Sequence, residues 1–216
     1  MPPSDFLPIL EKTGEIVKIG EWILRRACLD ANAWPNISLA VNVSAVQLVQ
    51  PGFAERVESI LLETGIDPQR VNLEITETAL IGKEDSALAA LTRLKKSGVR
   101  FSLDDFGTGY SSLRYFRIFP FDTVKIDREF VGNVESKIDA SAIVHAIVSL
   151  GRALGMRVVA EGVETKAQHQ FLSVAGVHAL QGFLFGRPAR APEISERLHG
   201  EEESDDSQQP LERVAQ

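Results

Sequence analysis

A single cysteine, Cys28, occurs in 216 residues. One thiol cannot build a disulfide framework or a zinc-thiolate centre, and it fits a reducing compartment. It follows Arg25 and Arg26 on a helical pattern and is expected to be a small buried hydrophobe. Aromatic residues make up only 7% of the chain. No stretch approaches the ~18 apolar residues of a membrane span. The N-terminus lacks the basic-then-apolar order of a signal peptide, so the chain reads as cytoplasmic. Basic charge is in deficit, with 23 Lys and Arg against 30 Asp and Glu for a net charge of −7. That balance argues against a nucleic-acid polymer as partner. The histidines, His145, His169, His178 and His199, form no ligand-like cluster, which disfavours a histidine zinc site.

What is present is a regular alternation. Apolar runs rich in branched residues predict strands over Ile37 to Val43, Val71 to Ile75, Val99 to Leu103, Asp122 to Ile126, Arg157 to Ala160 and His178 to Leu180. Helical periodicity predicts helices over Ile9 to Thr13, Ile16 to Ala31, Phe53 to Thr64, Ser86 to Ser97, Ser111 to Phe116, Ile138 to Leu154, Lys166 to Ala175 and Pro192 to Leu198. Glycines stop several of these helices. Met1 to Pro8 is expected to be extended or turning, because residues before proline avoid the helical region. The folded domain spans residues 1–199. Residues 200–216 are acidic and polar, with too little apolar area to offset ordering entropy, and are expected to be a disordered tail.

Strands alternating with helices imply a parallel sheet with right-handed crossovers, in about six βα units. Such a set is either an open doubly wound sheet or most of a (β/α)8 barrel. Polar residues decide between them. Asn42, Glu74, Asp104, Asp105, Lys125, Glu161 and Gln181 stand at or near the carboxyl ends of six strands. A barrel brings those ends to one rim. An open sheet would more often carry a glycine-rich phosphate loop after its first strand, and none is present.

Several carboxylates and an asparagine oxygen make a hard-oxygen environment suited to Mg²⁺ or Mn²⁺. Ca²⁺ fits it without supporting the chemistry. Adjacent acids Asp104 and Asp105 are arranged to serve two cations, as in two-metal phosphodiester hydrolysis. Glu161 either helps hold a metal or takes a proton from the attacking water. Lys125 either orients that water or simply pairs with a neighbouring acid.

These residues resemble a known family. Val41-Asn42-Val43-Ser44, Leu73-Glu74-Ile75-Thr76-Glu77, Asp104-Asp105-Phe106-Gly107-Thr108-Gly109-Tyr110-Ser111-Ser112-Leu113, Lys125-Ile126-Asp127, Ala160-Glu161-Gly162-Val163-Glu164-Thr165 and Gln181-Gly182-Phe183 are similar to the EAL domain of bacterial cyclic di-GMP phosphodiesterases. The match runs from about Pro3 to Pro188. The resemblance implies a TIM-like (β/α)8 barrel with one antiparallel strand. It also implies Mg²⁺- or Mn²⁺-dependent hydrolysis of cyclic di-GMP to linear pGpG, inhibited by Ca²⁺, in a homodimer. By the same resemblance, Asn42, Glu74 and Asp104 hold a first metal and Asp105 a second. Lys125 contacts the nucleophilic water, and Glu161 is a general base or second-metal ligand. Glu164, Asp127 and Gln181 support the site or contact nucleotide, and Glu77 holds the loop after Asp105.

One departure stands out. The Glu-Ala-Leu signature that names the family does not occur in the sequence. Its strand and the one before it are expected to be missing, leaving an N-terminally shortened domain whose first metal lacks a carboxylate. The expectation is a phosphodiesterase domain impaired in this chain. The alternative is a cyclic di-GMP receptor or protein-interaction module without turnover.

Overall fold

The computed structural model describes residues 2–107, 114–202 and 214–215. Six strands lie side by side in chain order: β1 (Ser38–Asn42), β2 (Val71–Thr76), β3 (Arg100–Phe106), β4 (Thr123–Ile126), β5 (Arg157–Ala160) and β6 (Ala179–Leu180). Every neighbouring pair is parallel. Each crossover therefore advances one strand in the same direction. A doubly wound sheet would instead reverse its order at a switch point. The six strands curl into a half-barrel of TIM-like type, which bears out the barrel reading. A two-residue strand, β7 (Val214–Ala215), runs parallel to Ser38 and Leu39 on the outer edge of β1.

The helices are α1 (Pro3–Thr13), α2 (Ile16–Ala31), α3 (Ala45–Leu48), α4 (Phe53–Thr64), α5 (Glu77–Leu80) and α6 (Glu84–Lys96) in the first half. The second half holds α7 (Arg114–Ile118), α8 (Arg128–Val131), α9 (Ile138–Leu154), α10 (Lys166–Ala175) and α11 (Ala191–Glu202). Parallel strands need such crossovers, and they bury both faces of the sheet. Val71, Leu73, Ile75, Phe101, Val124, Ile126 and Val158 are fully buried together with Leu91, Leu94, Val144 and Leu172 of the covering helices. Cys28 lies in this core with no exposed surface, as its helical setting suggested. Burial pushes its thiol up to about 11, against smaller opposing effects of Thr64 and Arg70.

Three differences from the sequence reading have physical causes. The stretch from Pro3 to Pro8 is helical, not extended, because Pro3 sits at the helix start and the helix tolerates Pro8 inside it. The bias against helix before proline is a preference that the following turns override. Strand β3 runs on through Asp104 and Asp105 to Phe106 rather than ending at the first acid. Its register against β4 shifts between Leu103 and Phe106, and Asp105 takes a left-handed backbone with φ 53°. That combination is a bulge, which inserts a residue and re-aims its side chain. Finally, α11 continues past Leu198 to Glu202, and Val214–Ala215 is paired, where the reading placed a disordered tail from Gly200. The remaining tail residues and the expected helix start at Ser111 to Leu113 lie outside the described residues.

Candidate active site

Consecutive parallel strands put their carboxyl ends on one rim, and the candidate residues follow from strand order. Asn42 ends β1 in register with Glu74 of β2. Asp104 lies on β3, beside Thr76 of β2. Lys125 lies on β4, and Glu161 immediately follows β5, its backbone N–H donating to Ile126 O at 3.0 Å. Gln181 immediately follows β6, donating through its backbone to Ala160 O at 2.8 Å.

Lys125 is the centre of this rim. It is 2% exposed, and its Nζ reaches Glu74 at 2.8 Å, Asp104 at 3.4 Å and Glu161 at 2.5 Å. Burial alone would lower the ammonium's pKa, but the three surrounding carboxylates outweigh it and raise it. The plain alternative considered for Lys125, pairing with rim acids, is therefore part of its geometry. Burial pushes Glu161 up to about 7, with Lys125 pulling the other way and Asp104 and Glu74 adding to the rise. Asp105 is also raised, by burial first and then by Asp104 and Asp127. The shifts of Glu161 and Asp105 come first from burial and then from neighbouring carboxylates, against the pull of Lys125.

Asp104, Asp105 and Glu161 each offer a carboxylate oxygen within 4.8 Å of the others. Three hard oxygens at that spacing fit a divalent cation of the Mg²⁺ or Mn²⁺ kind. Asp104 also accepts from the Asp105 N–H at 2.9 Å, which fixes the pair across the bulge. Asp127 caps α8 by accepting from Glu129 N–H at 2.6 Å, and its carboxylate hydrogen-bonds that of Asp105.

The other predicted residues lie along the same chain segments, in varied settings. Asn42 is exposed at the end of β1. Glu164 is exposed, and its backbone donates to Gln168 Oε1 at 2.8 Å in the capping box that starts α10. Gln181 has a buried Oε1 without a hydrogen-bond partner among the described residues. Glu77 is buried at the start of α5, and most of the loop it is expected to hold, residues 108–113, lies outside the described residues. Sequence reasoning missed a polar layer beneath the acids. Asn72 Nδ2 donates to Ser102 Oγ at 2.6 Å, two residues before Glu74 and Asp104. The period-two alternation of a strand was the available signal, since it puts Asn72 with Glu74 and Ser102 with Asp104.

A parallel half-barrel with acids and a buried lysine on its carboxyl rim defines a TIM-like domain with a charged rim site. The sequence matches the EAL domain over residues 1–188, and the chain belongs to that family. An uncharacterized signaling protein of Caulobacter vibrioides is 50% identical over 190 residues, covering 88% of this chain and 24% of that protein. The bifunctional diguanylate cyclase/cyclic di-GMP phosphodiesterase MucR of Pseudomonas aeruginosa is 45% identical over 197 residues, covering 89% of this chain and 29% of MucR. The chain thus spans under a third of these relatives. The solved MucR phosphodiesterase in complex with c-di-GMP superposes with a TM-score of 0.86, covering 90% of this chain and 81% of that one. BlrP1 of Klebsiella pneumoniae, at 33% identity, has been solved as calcium/c-di-GMP and manganese/c-di-GMP complexes, with TM-scores of 0.74 and 0.67. The calcium complex covers 80% of this chain and the manganese complex 76%, each with 45% of the BlrP1 chain matched. Among the described residues, no helix is long and apolar enough to cross a membrane.

Proposed function

We propose that this chain carries a cyclic di-GMP phosphodiesterase site that opens the cyclic dinucleotide to linear pGpG. The observation that carries the reading is Lys125 held among Glu74, Asp104 and Glu161, beside the Asp104–Asp105–Glu161 cluster, in a chain of the EAL family. Asn42, Glu74 and Asp104 would hold one cation, and Asp105 with Glu161 a second. Bound Mg²⁺ or Mn²⁺ supplies charge to the phosphate oxygens and makes a water acidic enough to attack. Asp104 would also lie within reach of the second cation, since its carboxylate is within 4.8 Å of those of Asp105 and Glu161. Asp127 holds the Asp105 carboxylate. Glu161, with a pKa near 7, is suited to take the proton of the attacking water. Lys125 orients that water through its ammonium and keeps the acids together. Water oxygen bonds to phosphorus, the bond from phosphorus to the ribose 3′ oxygen breaks, and the 3′ oxygen leaves and takes a proton from solvent. Gln181 would contact nucleotide, a role that its buried Oε1, unpartnered among the described residues, supports.

The first cation position is one carboxylate short of the family's set, because the sequence holds no Glu-Ala-Leu glutamate. Slow turnover is expected. The same observation favours a second reading, a cyclic di-GMP receptor without turnover. The test is incubation of the chain with cyclic di-GMP and Mn²⁺ or Mg²⁺, with products separated by chromatography. Linear pGpG that disappears with excess Ca²⁺ or in Glu161→Gln supports the hydrolase. Metal-independent binding by calorimetry, without product, replaces it with the receptor. Neither product nor binding overturns both.

A further inference from the structure

Two acid-bearing loops of the rim rest on the same four-residue helix. Helix α8 begins just after β4, and Val131 anchors it in the core with no exposed surface. On one side its Phe130 ring faces Gly107, two residues past Asp105. A Cβ at Gly107 would come within 2.8 Å of Phe130 Cε2 and 3.1 Å of Cζ, and Gly107 has φ +102°. On the other side Arg128 faces Gly162, the residue after Glu161. A Cβ there would lie 2.4 Å from Arg128 Cβ and 3.2 Å from its Cα, with φ +70° at Gly162. Both approaches are closer than any side chain allows. At its start, Asp127 caps α8 and hydrogen-bonds Asp105. The helix therefore touches the Asp105 loop twice and the Glu161 loop once, and those loops carry acids of the divalent-cation cluster.

We infer that α8 is the gauge that sets the spacing between the Asp105 and Glu161 carboxylates, with Phe130 its positioning residue. The inference rests on the proposed cation site. It adds that the site's geometry is fixed from outside its ligands. Phe130 is partly buried and packs against the core, so its ring has a firm backing. Without the ring, Gly107 loses its packing against α8, and the bulge carrying Asp105 gains freedom. A ligand set with loosened members binds a small, geometry-demanding cation less tightly.

The test uses the whole chain without nucleotide. Hydrogen exchange in metal-free buffer reports the loops, and Mn²⁺ calorimetry reports the site. Phe130→Ala is expected to speed exchange at least tenfold at Phe106 and at Glu161 to Val163, and to weaken Mn²⁺ binding about tenfold. Phe130→Met, which keeps most of the volume, is expected to stay within about threefold of the parent. Leu91→Ala, a buried change in α6, supplies a comparable loss of stability away from the rim. It is expected to leave Mn²⁺ affinity within about twofold. Gly107→Ala approaches the same contact from the other side. The combined effect of the two changes on Mn²⁺ binding is expected to be no larger than the greater of the two single effects. Unchanged exchange and affinity in folded Phe130→Ala would overturn the inference, as would an equal loss in Leu91→Ala or simple additivity with Gly107→Ala. If the parent binds no Mn²⁺, the cation site itself fails. The exchange measurement then still decides whether α8 holds the two loops.

Discussion

Lys125→Met removes the charge at the centre of the rim while keeping much of the side chain's stem. Three carboxylates lie within 2.8, 3.4 and 2.5 Å of the ammonium. At an effective dielectric of about 20, unit charges at such separations attract by roughly 5–7 kcal/mol each. Burying the ions offsets most of this gain, at several kcal/mol per ion. The variant keeps the buried acids and loses their cation. That situation costs about 3–5 kcal/mol. Urea unfolding at pH 8 in metal-free buffer should show that deficit. Its pH dependence has a definite sign. Without Lys125, the acids bind protons more tightly folded than unfolded. Above about pH 4 the folded variant then holds more protons, and its stability rises as pH falls. The parent also gains between pH 8 and 5, because Glu161 sits near 7, but less. Lys125 itself contributes no slope there, since its raised pKa matters only above the ordinary lysine value of about 10.4. The deficit should therefore shrink by pH 5. A deficit under about 1 kcal/mol at pH 8, or one that does not shrink, would refute the lysine as the cation that holds these acids together.

Cys28 offers a second pH test: its thiol, raised to about 11 from an ordinary 9.0, should alkylate roughly 100-fold more slowly than a free thiol at pH 8. Because the folded chain keeps that proton longer, stability should fall as pH rises past about 9, readable as a dropping melting temperature. Gly182→Ala should destabilise by about 1–3 kcal/mol or more, since its Cβ would lie 2.2 Å from the backbone N and O of Val163; calorimetric melting checks it. Gly20→Ala meets the Gln47 amide at 2.0 Å and disturbs the Ser44–Gln47 capping box, so a loss of about 1 kcal/mol is expected. In a Gln47→Ala background the same change should instead stabilise by up to about 1 kcal/mol through helix propensity, and a double-mutant cycle of urea unfolding separates the two.

The strand-end acids were legible because parallel strands of one barrel share a carboxyl rim, so position along each strand foretold convergence. Glu74, Asp104, Lys125 and Glu161 meet for that reason alone. Cys28 was legible from the helical period around it. What escaped were features decided by neighbours distant in sequence. Apolar periodicity carries no sign of a bulge, and Asp105 acquires its left-handed backbone only where β3 slips against β4. Four-residue helices such as α5 and α8 are too short to show a period, and side-chain capping or core anchoring holds them instead. Pro8 inside α1 reads as a break in one dimension, whereas the helix around it continues to Gly14.

The charge arrangement explains why such a rim suits cations. Five carboxylates minus one ammonium leave a formal charge of −4 among Glu74, Asp104, Asp105, Asp127, Glu161 and Lys125. Burial and that imbalance together favour protons, and both raise Glu161 and Asp105. Lys125 cancels part of it from beneath the rim, where it is buried beside Glu74. On the far side, Asp105 shares a hydrogen bond with Asp127, and burial and the neighbouring acids outweigh the pull of Lys125 on it. The lysine thus pairs with Glu74, Asp104 and Glu161, while burial and the neighbouring acids favour a proton on Asp105. A divalent ion arriving there competes with protons, and binding is linked to proton release. That division makes the Asp105 side the more responsive half of the site, and it is the half whose position α8 controls.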